Sequence, residues 1–217
     1  MASGFPGSID SFTNPLTTSP LNSPSHAGQH QDLNDAVNKI ETYMGLVKVI
    51  PTGATNGTVT ADGDVTIGSA VSSVTVSGAF SSLYDNYLIL GTGGAASIAA
   101  ACQTQLGTTT TGYYSAGYAV TYAGVGSVAS DNNASSWAAS CVVTTDGLNI
   151  HTYLNGPNLA KRTYITAAYI YGATAGGGDS RTINGYLNNT TQYTDFKITF
   201  GGATMTGGTI RVYGYRN

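Results

Sequence analysis

Charged residues are scarce in this chain. Only 9% of its 217 residues are Asp, Glu, Lys or Arg, against about 25% in an average globular domain. Eight basic residues and a net charge of −3 supply no positive field for nucleic acid. No apolar run is long enough to span a bilayer, and the N-terminus MASGFPGSIDSF lacks the basic and apolar regions of a signal peptide. We therefore expect synthesis in a cytosol, with no nucleic-acid partner and no membrane insertion.

Cysteine is almost absent. Cys102 and Cys141 are the only two, each lies in a segment with strand character, and neither has metal-ligand spacing around it. The pattern favours two buried thiols in a core. A disulfide between them is the alternative.

Recognisable catalytic combinations are also missing. Glu41 is the only glutamate, and no G-x-S-x-G motif offers a position for a serine nucleophile. A glycosidase needs two carboxyl groups across a cleft. The candidate pairs are Asp62 with Asp64 and Asp131 with Asp146. Asp62 and Asp146 each precede a glycine and are explained by hairpin turns, so we expect no enzyme and no cofactor.

The three histidines fit structural positions. His151 lies opposite Leu148 and Ile150 in the alternating segment LNIHTYL, which indicates the solvent face of a strand. His26 and His30 are four residues apart, a spacing that can present two imidazoles to a metal. The favoured interpretation of His30 is a polar layer that sets the register of a helical bundle, so no metal is expected.

Residues 1–24 predict an extended arm. The segment is rich in Pro, Ser and Thr and has no apolar period. An arm without a core of its own becomes ordered only on the surface that it lies on. The apolar side chains that it can insert into a neighbouring protein are Phe5, Ile9, Phe12 and Leu16.

Residues 25–46 predict a helix. Ser23 or Ser25 suits the N-cap, Pro24 the first turn and Gly45 the C-terminal stop. The apolar spacing alternates between three and four residues. His30, Val37 and Met44 take heptad a positions, and Leu33, Ile40 and Val47 take d positions.

This heptad pattern favours a bundle of three helices, because a β-branched residue at d disfavours a parallel dimer. The helix is too short to associate by itself, so it requires a domain that is already oligomeric. The residues predicted for the trimer interface are His30, Leu33, Val37, Ile40 and Met44. The alternative is an amphipathic helix that packs on the sheet of its own domain.

Residues 47–217 show period-two alternation interrupted by glycine-rich turns. Asp62-Gly63 in VTADGDVTI and Asp146-Gly147 in SCVVTTDGLNIHTYL predict hairpin turns. Further strand candidates are VSSVTVSGAF, DNYLILGTG, ASIAAACQTQLG, YYSAGYAVTYAG, RTYITAAYIYG, TDFKITFG and GTIRVYGYRN. Roughly ten short strands of this kind indicate a mainly β domain, an antiparallel β-sandwich of the jelly-roll type. Gly93-Gly94 and Gly176-Gly177-Gly178 are expected in loops.

Tyrosine is abundant, with 15 residues against five phenylalanines. Tyrosine suits surfaces that bind glycans or proteins, but it is also a favoured strand residue, and both interpretations remain open. The candidate receptor-contact residues, expected in distal loops, are Tyr113, Tyr114 and Tyr118.

Several phrases resemble the fibre and spike proteins of tailed bacteriophages. They are NSPSHAGQHQDLNDAVNKIE, SSLYDNYLIL, YLNGPNLAKRTYITAAY and the closing TDFKITFGGATMTGGTIRVYGYRN. The resemblance covers most of the chain and implies three parts: an N-terminal segment that attaches to the virion, a helical segment that trimerises and a C-terminal jelly roll that points outward. The apolar side chains of the arm would then be the virion anchor. The chain lacks a long repetitive shaft, which favours a short spike, a head fibre or a small tail-tip protein.

The sequence thus predicts a homotrimeric structural protein of a phage virion, assembled in the host cytoplasm. Its expected partners are other virion proteins of the capsid or tail and a host-surface glycan or protein. The alternative is a soluble lectin-like β-sandwich that binds carbohydrate. A third class, a glycan-depolymerising spike, requires paired acids in a cleft between subunits.

Overall fold

The structure, a computed structural model, describes residues 26–43, 45–174 and 177–215. The chain divides into two units, residues 1–47 and 48–217. The described part of the first unit is mainly one helix, and the second unit is built of strands. Every strand pair whose register is described is antiparallel. The protein is therefore mainly β with antiparallel sheets, consistent with a β-sandwich.

Seventeen strands follow one helix along the described part of the chain. Helix α1 spans His26–Tyr43, and the strands are β1 (Val47–Val49), β2 (Gly53–Thr55), β3 (Gly57–Val59), β4 (Val65–Ile67), β5 (Ser73–Ser77), β6 (Asn86–Gly93), β7 (Ala95–Ala96), β8 (Ala100–Leu106), β9 (Tyr113–Thr121), β10 (Gly126–Ala134), β11 (Trp137–Thr144), β12 (Gly147–Asn155), β13 (Thr163–Thr174), β14 (Gly177–Leu187), β15 (Phe196–Thr199), β16 (Met205–Thr206) and β17 (Thr209–Tyr215).

The C-terminal end of helix α1 agrees with the predicted stop. Gly45 has a φ of 77°, the left-handed conformation that glycine adopts without steric cost after a helix. Val47 corrects the heptad pattern, because it begins strand β1 instead of occupying the last d position of the helix. The predicted N-cap residues lie outside the described residues.

Strand β12 pairs with three other strands. One edge pairs with β6 from Leu148 to Asn155. The opposite edge pairs with β11 over its first residues, Gly147–Asn149, and with β13 over its last, Thr152–Asn155. Beyond β11 the sheet continues through β8, β15, β5 and β2, and beyond β13 it continues through β14, β9 and β10. The 15-stranded sheet therefore divides into two arms at β12, and β16 and β7 form a separate two-stranded sheet.

The core joins these two arms. Inward side chains of β12, β13 and β14, such as Leu154, Ile165 and Leu187, belong to the same buried cluster as Phe196 and Ile198 of β15. Fully burying an aliphatic side chain of this size contributes about 1.5–3 kcal/mol. Burial of the two arms against each other is thus what stabilises the fold.

One of the two predicted hairpin turns lies where expected. Between β3 and β4, Thr60 N–H donates to Asp64 O at 2.8 Å, and Gly63 N–H donates to Thr60 O at 2.9 Å. Gly63 has a φ of 80°, so the loop is a three-residue turn with glycine in the left-handed position, a standard hairpin connection.

The second turn lies one residue earlier than predicted. Thr144 pairs with Gly147, so the loop is Thr145-Asp146, and the Thr144 hydroxyl accepts a hydrogen bond from Asp146 N–H at 3.1 Å. Gly147 is instead the first residue of β12, with a φ of 132° that favours glycine. A Cβ there would also lie 3.0 Å from the carbonyl oxygen of Gly93, a close approach of β6 that the local sequence does not reveal.

Two long strands, β10 and β14, were not predicted. Strand β10 is almost entirely exposed and forms an edge of the sheet, so it has no apolar alternation to reveal it. Gly177 and Gly178, expected in a loop, begin β14. A Cβ on Gly178 would lie 2.5 Å from the carbonyl oxygen of Tyr171, so this glycine permits close backbone pairing.

Gly185 in β14 provides a test of the packing between β14 and β9. A Cβ at this position would lie 2.3 Å from the carbonyl oxygen of Tyr114, and backbone atoms cannot move away cheaply. We expect Gly185→Ala to lower the free energy of unfolding by roughly 1–3 kcal/mol, measured by thermal or urea unfolding. The matched control is Gly172→Ala in β13, where a Cβ meets nothing within 4 Å. Equal unfolding temperatures for the two variants would contradict this register.

Candidate functional site

Helix α1 carries an exposed apolar stripe. Leu33 is 56% exposed, and Val37 and Ile40 are each 43% exposed. These three residues were predicted to form the trimer interface together with His30 and Met44. His30 is also exposed, and Met44 lies outside the described residues.

The predicted arm, residues 1–24, lies outside the described residues. Its candidate anchor side chains are Phe5, Ile9, Phe12 and Leu16. Their contact with another virion protein stays a prediction.

The structure corrects one of the predicted receptor-contact tyrosines. Tyr113 is fully buried, and its ring lies edge-on to Trp137 at a centroid distance of 4.9 Å. Its hydroxyl accepts a hydrogen bond from Leu106 N–H at 2.8 Å, and burial raises the pKa of Tyr113. Tyr113 is thus a core residue. Tyr114 and Tyr118 reach the surface, but they lie on strand β9 and not in a loop.

Strand register aligns a row of residues across the outer face of the sheet. Its members, on β17, β6, β12, β13, β14 and β9 in turn, are Tyr215, Asn86, Asn155, Tyr164, Tyr186 and Tyr114. With about 4.8 Å between neighbouring strands, this tyrosine row is roughly 24 Å long. Strand alternation orients Asn155, Tyr164 and Tyr186 outward, because the adjacent Leu154, Ile165 and Leu187 belong to the core. Asn86 is the buried member of the row.

Three of the tyrosines form one aromatic surface. The rings of Tyr114 and Tyr186 stack at a centroid distance of 5.1 Å and an angle of 12°. Tyr164, 51% exposed, lies 6.5 Å from Tyr186 at 51°. The guanidinium carbon of Arg162 lies 5.3 Å from the centre of the Tyr186 ring, a cation–π arrangement. The aromatic surface therefore borders a positive charge.

An open cleft of about 790 Å³ adjoins the tyrosine row at Tyr164. One wall is the loop that follows β12 and carries Lys161 and Arg162. The other lining residues are Asp85, Asn86, Asn155, Gly156, Leu159, Ala160 and Thr190. The cleft thus combines an aromatic ring, two cations, a carboxylate, two amides and a hydroxyl.

Hydrogen bonds hold the wall of this cleft in place. Gly156 N–H donates to Asp85 O at 2.7 Å. The Asn158 side-chain amide donates to Tyr193 O at 2.8 Å, and Tyr193 N–H donates to Pro157 O at 2.8 Å. The first half of the loop is thus bonded to the segments around Asp85 and Tyr193, and Lys161 N–H donates to Leu159 O at 2.7 Å within the second half. These bonds favour a preformed cleft.

In a second charged cluster, the guanidinium of Arg181 is paired with a neighbouring carboxylate. Arg181 forms a two-pronged ion pair with Asp179 at 2.6 and 2.7 Å, and its guanidinium carbon lies 5.0 Å from the centre of the Tyr171 ring. Tyr169 O–H donates to Ala139 O at 2.7 Å, and burial raises the pKa of Tyr169 to about 12. A cavity of about 70 Å³ adjoins this cluster. Because Asp179 neutralises Arg181, the cluster is structural.

The third charged cluster joins β1, β4 and β17. Asp64 accepts two hydrogen bonds from Arg211, each at 3.0 Å, and a further one from Lys48. The hydrogen bonds from Lys48 and Arg211 lower the pKa of the Asp64 carboxyl. Both oxygens of this carboxylate accept hydrogen bonds from cations of the same domain, which fits a structural group.

The second candidate carboxylate pair, Asp131 with Asp146, has different surroundings for its two members. Asp131 Oδ2 accepts hydrogen bonds from the Ser115 hydroxyl at 2.6 Å and from Ala138 N–H at 2.9 Å, while Asp146 lies in an exposed turn. His151 is exposed on β12, as predicted, with its ring edge-on to Tyr153 at 5.3 Å.

Metal-ligating clusters and membrane-spanning helices are absent from the part of the chain that the structure describes. Residues 26–43, 45–174 and 177–215 contain no group of three or more metal-ligating side chains. Within the same ranges, no helix is long and apolar enough to cross a bilayer.

The two cysteines face each other across neighbouring strands. Cys141 of β11 pairs directly with Cys102 of β8, and both are fully buried free thiols in the structure. The hydrogen bond with the Cys141 thiol and burial raise the pKa of Cys102. Both properties fit the predicted core thiols and disfavour a reactive role.

Sequence reasoning missed the residues of the cleft. Arg162 and Tyr164 lie two residues apart at the start of the predicted strand RTYITAAYIYG. This spacing places both side chains on one face of the strand and was the signal that could have identified them. Tyr186 lies on β14, a strand that the pattern did not reveal, so its alignment with Tyr114 and Tyr164 could not be foreseen.

Comparison with known proteins gives no relative: no family model matches the chain, and no curated protein or solved structure is significantly similar to it.

The Asp64 cluster predicts a pH-dependent contribution to stability. Because its pKa is lowered in the folded state, the ionised carboxyl stabilises the fold above its ordinary pKa of 3.8, and this contribution is lost as the pH falls through the lowered value. We expect Asp64→Asn to lower the unfolding temperature at neutral pH and the difference from wild type to shrink below pH 3.8. The control is Asp62→Asn in the same loop, which makes no ion pair among the described residues. A difference that is constant with pH would contradict the assignment.

Proposed function

We propose that this protein is a non-enzymatic structural protein of a tailed-bacteriophage virion. It is a homotrimeric short fibre, spike or head-fibre decoration, attached to capsid or tail proteins through residues 1–24. The helix is the trimerising segment, and the strand domain, a jelly roll, points away from the particle and contacts the host surface.

The observation that carries this proposal is the exposed stripe on helix α1. Leu33, Val37 and Ile40 follow heptad spacing and remain roughly half exposed in the single chain. Apolar side chains aligned on one helix face are usually covered by something. Covering the exposed parts of these side chains would contribute about 1 kcal/mol each per chain, and Ile40 at a d position favours three helices over two.

The low charge of the chain supports the same proposal. With 9% charged residues, its surface consists largely of hydroxyl, amide and glycine groups. A virion protein cannot be replaced after assembly, so a closed oligomer with a high barrier to unfolding is advantageous. The phrases that resemble phage fibre and spike proteins point the same way.

A second candidate function is a soluble, lectin-like module. The tyrosine row and its adjacent cleft favour this alternative, since aromatic rings beside amides and carboxylates suit sugar binding. The solution mass separates the two candidates. A monomer of 22.2 kDa supports the soluble module, and a threefold mass supports the fibre.

Substitution in the stripe tests the trimer. We expect Ile40→Lys to dissociate the trimer at micromolar concentration, because three ammonium groups would be brought to one axis without partners. The measurement is light scattering after size-exclusion chromatography. The matched control is Gln31→Lys, which adds the same charge at an exposed b position of the same helix and should leave the mass unchanged. A trimer that survives Ile40→Lys would show that the helix is not the interface.

Deletion of residues 1–20 tests the anchoring arm. We expect the shortened chain to remain a folded trimer that no longer joins the virion, because the arm contributes contacts to another protein and not to the core. Circular dichroism, solution mass and incorporation into particles are the measurements. Unfolding of the shortened chain would show instead that the arm belongs to the core.

A further inference from the structure

Unpaired positive charge is concentrated beside the tyrosine row. Three cations of the strand domain have a carboxylate partner: Lys48 and Arg211 pair with Asp64, and Arg181 pairs with Asp179. Among residues whose side chains the structure describes, the cations without a carboxylate partner are Lys161, Arg162 and Lys197. Two of these three line the same cleft. The net charge of the chain is −3, so the two unpaired cations of the cleft are a positive region on a negative protein. This region is complementary to a negatively charged ligand.

The aromatic surface beside the cleft is already arranged for a flat ligand. The Tyr186 ring stacks with Tyr114 and also lies within 5.3 Å of the Arg162 guanidinium carbon. Tyr164, directly opposite Tyr186 in the register, remains half exposed at the mouth of the cleft. A sugar ring packs its C–H face on a tyrosine of this kind, and the supported ring loses little side-chain entropy on binding.

Several polar groups around Tyr164 are available to a ligand. No hydrogen bond from a described residue occupies the Tyr164 hydroxyl, the Asn155 amide, the Thr190 hydroxyl or the Asp85 carboxylate. Together these groups offer donors and acceptors of the kinds that sugar hydroxyls need. An apolar peptide or a lipid would leave them unsatisfied, at a cost in binding free energy.

We propose that this cleft binds an acidic saccharide. The sugar ring packs on Tyr164, its carboxylate or phosphate pairs with Lys161 and Arg162, and its hydroxyls bond to Asn155, Asp85 and Thr190. The tyrosine row continues from the cleft toward Tyr114, so a longer chain extends along it. The inference rests on the proposed function for the source of the ligand, a polymer on the host surface.

Binding of the full-length chain to arrayed bacterial surface polysaccharides tests the proposal. The array contains uronate-bearing, phosphate-bearing and neutral members. The protein is detected through a terminal tag, because a label attached to lysine side chains would modify Lys161. We expect binding to acidic members at least about tenfold above the neutral ones, and weaker binding as salt increases. Comparison of the uronate-bearing with the phosphate-bearing members shows whether the site prefers a carboxylate or a phosphate. Equal binding to neutral members, or none to any member, would overturn the proposal.

Four variants locate the site. We expect Tyr164→Ala and Lys161→Gln each to reduce binding by about tenfold, since one removes the stacking surface and the other a charge-assisted contact. The matched controls are Tyr122→Ala, a tyrosine 60% exposed, and Lys197→Gln, the remaining unpaired cation among the described side chains. Both controls should bind like the wild type. Equal losses in the controls, or undiminished binding by the two cleft variants, would place the ligand elsewhere.

The mass of each sample separates this inference from the proposed function. If the chain is monomeric and binds acidic saccharide at Tyr164, the trimeric fibre is contradicted and the saccharide site is supported. If the chain is trimeric and binds no member of the array, the saccharide site is contradicted and the structural role is supported. If a trimer instead binds a purified host surface protein through Tyr164, the saccharide proposal is contradicted and the ligand is a protein receptor.

Discussion

The pairing of strand β12 determines the shape of the strand domain. Its one edge is filled by β6, and its other edge is divided between β11 and β13. Two strands that share an edge must diverge, and the bulge in β11, where Ala139 has a φ of 52°, bends that strand away. Tyr169 of β13 donates its hydroxyl hydrogen to the Ala139 carbonyl and so secures the divergence. The two arms then bury their inner faces against each other.

The same pairing creates the candidate binding surface. Strand alternation sends Leu154 and Ile165 into the core, so Asn155 and Tyr164 must point outward. The chain leaves β12 at Gly156, and the loop that returns it to β13 brings Lys161 and Arg162 beside Tyr164. The polar cleft is therefore a direct consequence of how the core strands are connected. Lys48, Arg181 and Arg211 are paired with carboxylates, whereas the two cations of this loop are not.

Several features were readable from sequence because they depend on neighbouring residues. The left-handed stop at Gly45, the loop at Asp62-Gly63, the exposed face of His151 and the burial of both cysteines all follow from local pattern.

Other features could not be predicted from the sequence. Tyr113 and Tyr114 are adjacent and chemically identical, yet one fills the core and the other lies at the surface, because alternation has two phases and only packing selects between them. Strand β14 has too little apolar content to reveal itself.

The sequence by itself determined the composition of the surface, the separation of a helix from a strand-rich region and the heptad stripe of Leu33, Val37 and Ile40, because these depend on residue types and short-range spacing. Only the tertiary structure decided that Tyr164, Tyr186 and Tyr114 form one row. Tyr164 and Tyr186 lie on the consecutive strands β13 and β14, but Tyr114 lies on β9, far earlier in the chain, and the alignment of all three depends on a register fixed by backbone hydrogen bonds between these strands.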